Sequence, residues 1–315
     1  MRLLIDGVPR PSGKTMAQKR EWMKRHASQL RRSVMLEPRG HADIIGAMLT
    51  EPVTPGAEAG VLFMDGDGYQ PLSGAAVIAA TTIAIEKGLI TGTAPRVTFD
   101  TPAGTVHADA RVHGSGEQRR VDSVAFTNVP SFVLAGGHPV KIGARELRVD
   151  LAFAGVLYAI VDTEAIGIPL DAAALPELRR LAAQIRTAAN AGSGFSTPRG
   201  VERVDGVIFT GPPRDPEAHL RNVTVSASGA VDRSASATGT SAVMAVLDAM
   251  GLLGSDAPFV HESLVGTLHH GRVVRRTQVG EMQAIIAEIE ASAWITGEHT
   301  FYLHDDDPLR DGLAW

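Results

Sequence analysis

One pattern occurs twice in this 315-residue chain and limits the folds open to it. In the first half, a strand-like run from Gly60 to Met64 is followed by a Gly-Asp-Gly turn, Gly66 to Gly68. A short link ending at Ser73 then enters a small, apolar helix over Ala75 to Ile85. In the second half, Asn222 to Ser226, the turn at Ser228 and Gly229, and a link ending at Ser236 lead into Ala237 to Leu247, again a small-residue helix. The two serines stand 163 positions apart, about half the chain. Two copies of one supersecondary unit place two serines at two helix N-termini, and a pseudo-twofold axis would set them face to face. A helix N-terminus carries unpaired N–H groups and a positive dipole end, which together bind carboxylates and phosphates. Gly74, Ala75 and Ala76 in one copy, and Ala237, Thr238 and Gly239 in the other, are small enough for close backbone approach to a ligand. An ordinary N-cap role before a core helix is the competing reading of both serines.

The charge-poor run from Gly68 to Ile85 reaches the lower length limit of a membrane span, but its polar first third leaves only a core helix's length of apolar residues. No signal-peptide layout opens the chain, so a cytoplasmic protein is expected. With 30 basic and 35 acidic side chains and no basic stripe, nucleic acid is not an expected partner. The absence of cysteine removes thiolate nucleophiles, disulfides, iron–sulfur clusters and cysteine–zinc sites. The histidines have no HExxH spacing, and the adjacent His269 and His270 point in different directions on any regular element, so no metal site is expected. Asp305 to Asp307 reads as a solvated turn. Few lysines argue against a Schiff-base cofactor, and no glycine fingerprint for a dinucleotide is present.

Strand-like runs at Gly60 to Met64, Arg96 to Phe99, Ser123 to Phe126, Glu146 to Val149, Val156 to Val161, Gly206 to Thr210 and Asn222 to Ser226 predict a mainly antiparallel sheet. Helices are predicted over Thr15 to Arg32, Ala75 to Lys87, Leu175 to Ala189, Ser241 to Met250 and Val279 to Glu288. This is an α+β pattern. Asp232, four residues before Ser236, is a candidate for binding a ligand amine; a turn aspartate paired with Arg233 is the alternative.

The runs Pro38-Arg39-Gly40-His41-Ala42-Asp43, Gly60-Val61-Leu62-Phe63-Met64, Asp232-Arg233-Ser234, Thr238-Gly239-Thr240-Ser241-Ala242, His261-Glu262-Ser263 and Ala293-Trp294-Ile295-Thr296-Gly297 resemble the proline racemase family. That family includes proline racemases, 4-hydroxyproline epimerases and trans-3-hydroxyproline dehydratases. The resemblance implies a diaminopimelate epimerase-like fold, with two similar halves, each a curved, mainly antiparallel sheet around a central helix. The expected halves are residues 1–127, joined by 292–315, and residues 128–291, with the active-site cleft between them. It further implies catalytic positions at Ser73 and Ser236, a substrate carboxylate on the N–H groups of Gly74, Ala75, Ala237 and Thr238, and a substrate nitrogen on Asp232. No cofactor is implied; a small amino acid of proline or hydroxyproline type is the expected partner, and a homodimer the expected assembly.

Departures from the family pattern shape the functional expectation. Family racemases carry cysteines where this chain has Ser73 and Ser236, and a hydroxyl ionises far less readily than a thiol of pKa near ~8.5. The family's Cys-Gly-His reads Ser73-Gly74-Ala75, and Ser226 replaces an aromatic found in many members. The family also has an opening strand before the segment matching Asp6 to Met16, so the chain is expected to be N-terminally short. Dehydration of trans-3-hydroxy-L-proline is the expected activity, because elimination needs one base and a proton donor for the leaving hydroxyl. Epimerisation of 4-hydroxyproline or racemisation of proline is the alternative, and a repurposed member that only binds a small amino acid is the alternative of another class.

Overall fold

A computed structural model describes residues 1–90, 96–191, 203–254 and 258–313. The chain divides into two compact units, Met1–Phe126 with Ala291–Trp315, and Thr127–Glu290.

The first unit contains β1 (Arg2–Leu4), α1 (Met16–His26), α2 (Ser28–Met35), β2 (Gly46–Thr50), β3 (Ala59–Met64), β4 (Tyr69–Gln70), α3 (Gly74–Glu86), β5 (Arg96–Thr101), β6 (Gly104–His113) and β7 (Arg120–Thr127). Its sheet runs β1-β2-β3-β5-β6-β7, with β4 on β3. The β1–β2 and β3–β5 pairs are parallel, the first crossed by α1 and α2 and the second by α3. The single helix predicted over Thr15 to Arg32 breaks at Ala27. There the Ser28 hydroxyl takes the Lys24 carbonyl at 2.5 Å, and the Tyr69 hydroxyl reaches the Ala27 carbonyl at 3.0 Å. Local side-chain hydrogen bonds and a tertiary anchor thus override a helical sequence pattern. The Asp305 to Asp307 run is tied by ion pairs, Asp307 to Arg39 and Asp305 to Arg310.

The second unit contains β8 (Ser131–Ile142), β9 (Arg145–Phe153), β10 (Leu157–Asp162), α4 (Thr163–Ile166), α5 (Leu175–Asn190), β11 (Gly206–Gly211), β12 (Leu220–Val225), α6 (Ala237–Ala249), β13 (Phe259–Ser263), β14 (Leu268–Val279) and β15 (Met282–Ala291). The strand order β10-β11-β12-β13-β14-β15 repeats the order of the first unit, with parallel pairs β10–β11 and β12–β13 crossed by α4 with α5 and by α6. The repeat read in the sequence is therefore a repeat of topology. β8 and β9 extend this unit, and β8 pairs with β15 at Ser131–Ile285 and Phe132–Ala284, closing the sheet on itself.

Inside that closed sheet α6 packs against β8, β9, β10 and β14, and every residue from Ala237 to Ala245 is buried. A helix apolar on all sides belongs in a core, and its few hydroxyls fold back on the backbone: Ser241 on Ala237 at 2.9 Å, and in α3 Thr81 on Val77 at 2.8 Å. Gly271 on β14 makes room for α6, since a Cβ there would lie 2.6 Å from the Met244 sulfur. The same reasoning accounts for the charge-free run to Ile85, which holds β4 and the 13-residue α3; no helix among the described residues is long and apolar enough to cross a membrane.

The helix predicted over Val279 to Glu288 is instead the end of β14, a two-residue turn and most of β15. Gly280 at φ +60° opens the turn, the geometry a twisted hairpin loop favours. From Ile285 to Glu290 burial alternates residue by residue, a period of two that the short Ile-Ile run obscures.

Two histidines interrupt the apolar interior. His261 on β13 and His269 on β14 are directly opposed in register and both buried, whereas His270 turns outward. Burial, with a smaller repulsion from a neighbouring imidazole in each case, lowers His261 from 6.5 to about 3 and His269 to about 4. The unfolded chain takes up these protons near pH 6.5 and the folded chain only near pH 3 to 4, so stability is lost as pH falls through that window. From pH 7 to pH 5 each histidine should remove about 2 kcal/mol of unfolding free energy. Urea unfolding at both pH values checks this. His269→Gln should flatten the slope by about half, and an unchanged slope would contradict the burial.

Candidate active site

In the first unit, Ser73 caps α3 from an extended backbone (φ −142°), its hydroxyl accepting from the Ala76 N–H at 3.3 Å. The Val77 N–H bonds the Ser73 carbonyl, so the helix ladder leaves out the N–H groups of Gly74 and Ala75. The approach to Ser73 is set by Asp65, whose buried carboxylate accepts from the Asp67 and Gly68 N–H groups at 2.9 Å and from Gln70 at 2.7 Å. Arg31 from α2 donates to the carbonyls of Asp65 and Gly66 and fixes this turn against the helix layer. Burial raises the Asp65 carboxyl above its usual range, and the turn's hydrogen bonds pull the other way.

The second unit repeats the cap with a different backbone. Ser236 accepts from the Gly239 N–H at 3.2 Å, the same three-residue offset, and the N–H groups of Ala237 and Thr238 lie outside the ladder. Ser236, however, has φ +56° and ψ 109°, the one positive φ among described non-glycine residues. Such conformations are held only where the surroundings over-determine them, and they cluster at functional sites. Gly239 packs tightly here: a Cβ would lie 3.1 Å from the Ser236 hydroxyl and 3.0 Å from the Thr224 Oγ1, so either neighbour would have to shift to admit one.

A polar cluster surrounds that hydroxyl. The Tyr158 phenol on β10 bonds the Thr238 hydroxyl at 2.8 Å. Burial pushes Tyr158 up to about 12; interactions with the Thr238 and Ser236 hydroxyls partly oppose this, and the nearby Asp232 adds to it. Asp232 accepts from the Ser234 hydroxyl at 2.8 Å and N–H at 2.9 Å. Among the described residues Arg233 forms no ion pair with it. Burial raises the Asp232 carboxyl, opposed by its bonds to Ser234 and by the Ser236 hydroxyl. A carboxylate held above its usual range in this way gains from the arrival of an ammonium group, which restores its charged form.

Asp232, Ser236, Ala237 and Thr238 are thus assembled in one unit, and Ser73, Gly74 and Ala75 form the equivalent helix entrance of the other. Tyr158, Thr224 and Asp65 were not among the candidates drawn from the sequence. Tyr158 left one signal, a phenol within an apolar strand, where a buried hydroxyl must find a partner. Thr224, whose Oγ1 has no partner among the described residues, left none.

The sequence profile of the proline racemase family matches residues 1–314. A 3-hydroxyproline 2-epimerase from Burkholderia multivorans is 39% identical, covering 99% of this chain and 93% of its own. A trans-3-hydroxy-L-proline dehydratase from Bacillus cereus is 37% identical, covering 99% and 94%. Among solved structures, a probable proline racemase from Agrobacterium radiobacter K84 superposes with a TM-score of 0.90 at 28% identity, over 99% of this chain and 92% of that one. The repeated topology, the serine-capped helices and these similarities along almost the whole length lead to one assignment: the chain belongs to the proline racemase family.

Proposed function

We propose that this protein is a cofactor-independent enzyme that abstracts the α-proton of a proline-type amino acid, with dehydration of trans-3-hydroxy-L-proline as its preferred reaction. The observation that carries the reading is the matched pair of caps: serine, two N–H groups outside the ladder, and a third bound to the serine hydroxyl, once at α3 and once at α6. In this reading the N–H groups of Gly74, Ala75, Ala237 and Thr238 hold the substrate carboxylate, Asp232 holds its ammonium group, and Ser73 and Ser236 are the proton-transfer positions. In the dehydration, one serine oxygen takes the α-proton and the Cα–H electron pair becomes the Cα–Cβ double bond. The Cβ–O bond breaks, and the departing hydroxyl takes a proton from the second position and leaves as water. Epimerisation, in which the second position instead delivers its own proton to Cα from the opposite face and the hydroxyl stays on Cβ, is the second reading, favoured by the 39% identity to a 3-hydroxyproline 2-epimerase.

A serine hydroxyl is a poor base, and each tenfold loss of rate corresponds to ~1.4 kcal/mol of barrier. Exchange of the α-proton in heavy water reads abstraction directly, whichever product follows. It should be detectable with isomers of hydroxyproline, and water loss from trans-3-hydroxy-L-proline distinguishes the lyase from the epimerase. Ser73→Cys together with Ser236→Cys should raise exchange at least ~10-fold, because a thiolate forms more easily in the same dipole field. The corresponding double alanine variant should abolish exchange while keeping the fold, since losing a cap costs ~1 kcal/mol per helix. Undiminished turnover in that variant would remove both serines from the mechanism, and no exchange with any proline or hydroxyproline isomer would leave an amino-acid-binding protein.

Asp232→Ala separates the two halves of recognition. It should weaken binding of hydroxyproline at least ~10-fold and binding of pyrrole-2-carboxylate, which has no ammonium group, by less than ~2-fold. Equal losses in titration calorimetry would remove Asp232 from amine recognition.

A further inference from the structure

The strain at Ser236 has no explanation in helix capping. Ser73 makes the same cap from an ordinary extended backbone, at φ −142°, whereas Ser236 does so at φ +56°. Something other than the cap holds it there.

The peptide joining Ala235 to Ser236 is pinned at both ends. Its carbonyl oxygen accepts from the Asn222 amide at 2.8 Å and from the Thr240 hydroxyl at 3.0 Å, and its N–H donates to the Ser234 hydroxyl at 3.1 Å. On the other side of Ser236, its own carbonyl accepts from the Thr240 N–H at 2.7 Å. The angle φ is the rotation between the pinned peptide and the Ser236 Cα, so fixing both flanking peptides fixes φ. Thr240 contributes to both, through its hydroxyl on one side and its N–H on the other.

The hydroxyl of Thr240 is itself oriented. It lies 3.0 Å from Nδ1 of His261. A hydroxyl has a single proton, and this one goes to the Ala235 carbonyl, so His261 must be the donor from Nδ1. Nε2 then carries the lone pair, and it is buried with no hydrogen-bond partner among the described residues. Asn222, Thr240 and His261 are all fully buried. A buried imidazole with one nitrogen unpaired is costly to retain, and its one contact with a hydroxyl is the contact that directs the Thr240 proton.

We propose that Thr240 is a positioning residue, its hydroxyl aimed by His261, and that with Asn222 and Ser234 it clamps the Ala235–Ser236 peptide and holds Ser236 at positive φ with its hydroxyl beside Tyr158 and Asp232. The clamp is a property of the fold; its effect on rate rests on the reading of Ser236 as a proton-transfer residue.

The two parts are tested separately on the intact protein. Thr240→Val keeps the side-chain shape and removes the donor; Thr240→Ser restores it. In crystal structures, Ser236 should relax to negative φ in Thr240→Val and return to positive φ in Thr240→Ser. Exchange of the α-proton should fall at least ~10-fold in the valine variant, with the Kd for pyrrole-2-carboxylate within ~2-fold of the native value, and the serine variant should recover it. Ser236 unmoved in Thr240→Val, or Thr240→Ser as impaired as Thr240→Val, overturns the clamp. Should Thr240→Val fail to fold, Ser234→Ala frees the N–H end of the same peptide at a half-buried position, and the same change in φ, or its absence, decides the question. A native protein without α-proton exchange refutes the role of Ser236 in proton transfer, while the crystallographic comparison still decides the clamp.

Discussion

A helix buried from its first residue must find partners for N–H groups that its own ladder cannot reach. In α3 and α6 that requirement falls on serines, and it leaves two N–H groups at each entrance to be met by something other than the helix. The small, uncharged residues that let α6 lie inside a closed sheet are the same residues that carry those N–H groups. In the proposed function, burial of the helix and binding of an anion arise from this one constraint.

The two entrances are built differently. Around Ser73 the order comes from a turn, with Asp65 collecting three donors and Arg31 bracing the loop from α2. Around Ser236 it comes from strands and helix together, with Asn222, Tyr158 and His261 reaching inward from β12, β10 and β13. Only the second entrance holds its serine at a strained angle. The cluster about that serine also contains a phenol, Tyr158, and a carboxyl, Asp232, whose proton affinities are raised by burial.

The repeat was legible in the sequence because it is written in local terms: apolar strands, turn glycines, and helices whose lack of charge on any side marks them as core. The two serine caps followed from the same pattern. What was not legible depends on residues far apart in the chain. Tyr158 meets Thr238 across 80 positions and Thr240 meets His261 across 21, and neither pair has a spacing motif. The φ of Ser236 has no signature at all, since serine does not announce a positive-φ position as glycine does. The helix predicted over Val279 to Glu288 failed for a different reason: adjacent isoleucines masked the strand period, and Gly280 was a hairpin turn. The expected break-free helix after Thr15 is interrupted at Ala27, where the backbone leaves helical angles at φ −129° and the carbonyl accepts the Tyr69 hydroxyl as well as the Arg31 N–H, a contact made at long range.

The central claim is that the two serine-capped entrances serve to bind a carboxylate. The amide signals of Gly74, Ala75, Ala237 and Thr238, followed by nitrogen-15 NMR during titration with pyrrole-2-carboxylate, test it most directly. All four should move downfield and saturate together with one Kd, because each N–H gains an anionic acceptor. Saturable binding that leaves these four amides in place while shifting others would contradict the account.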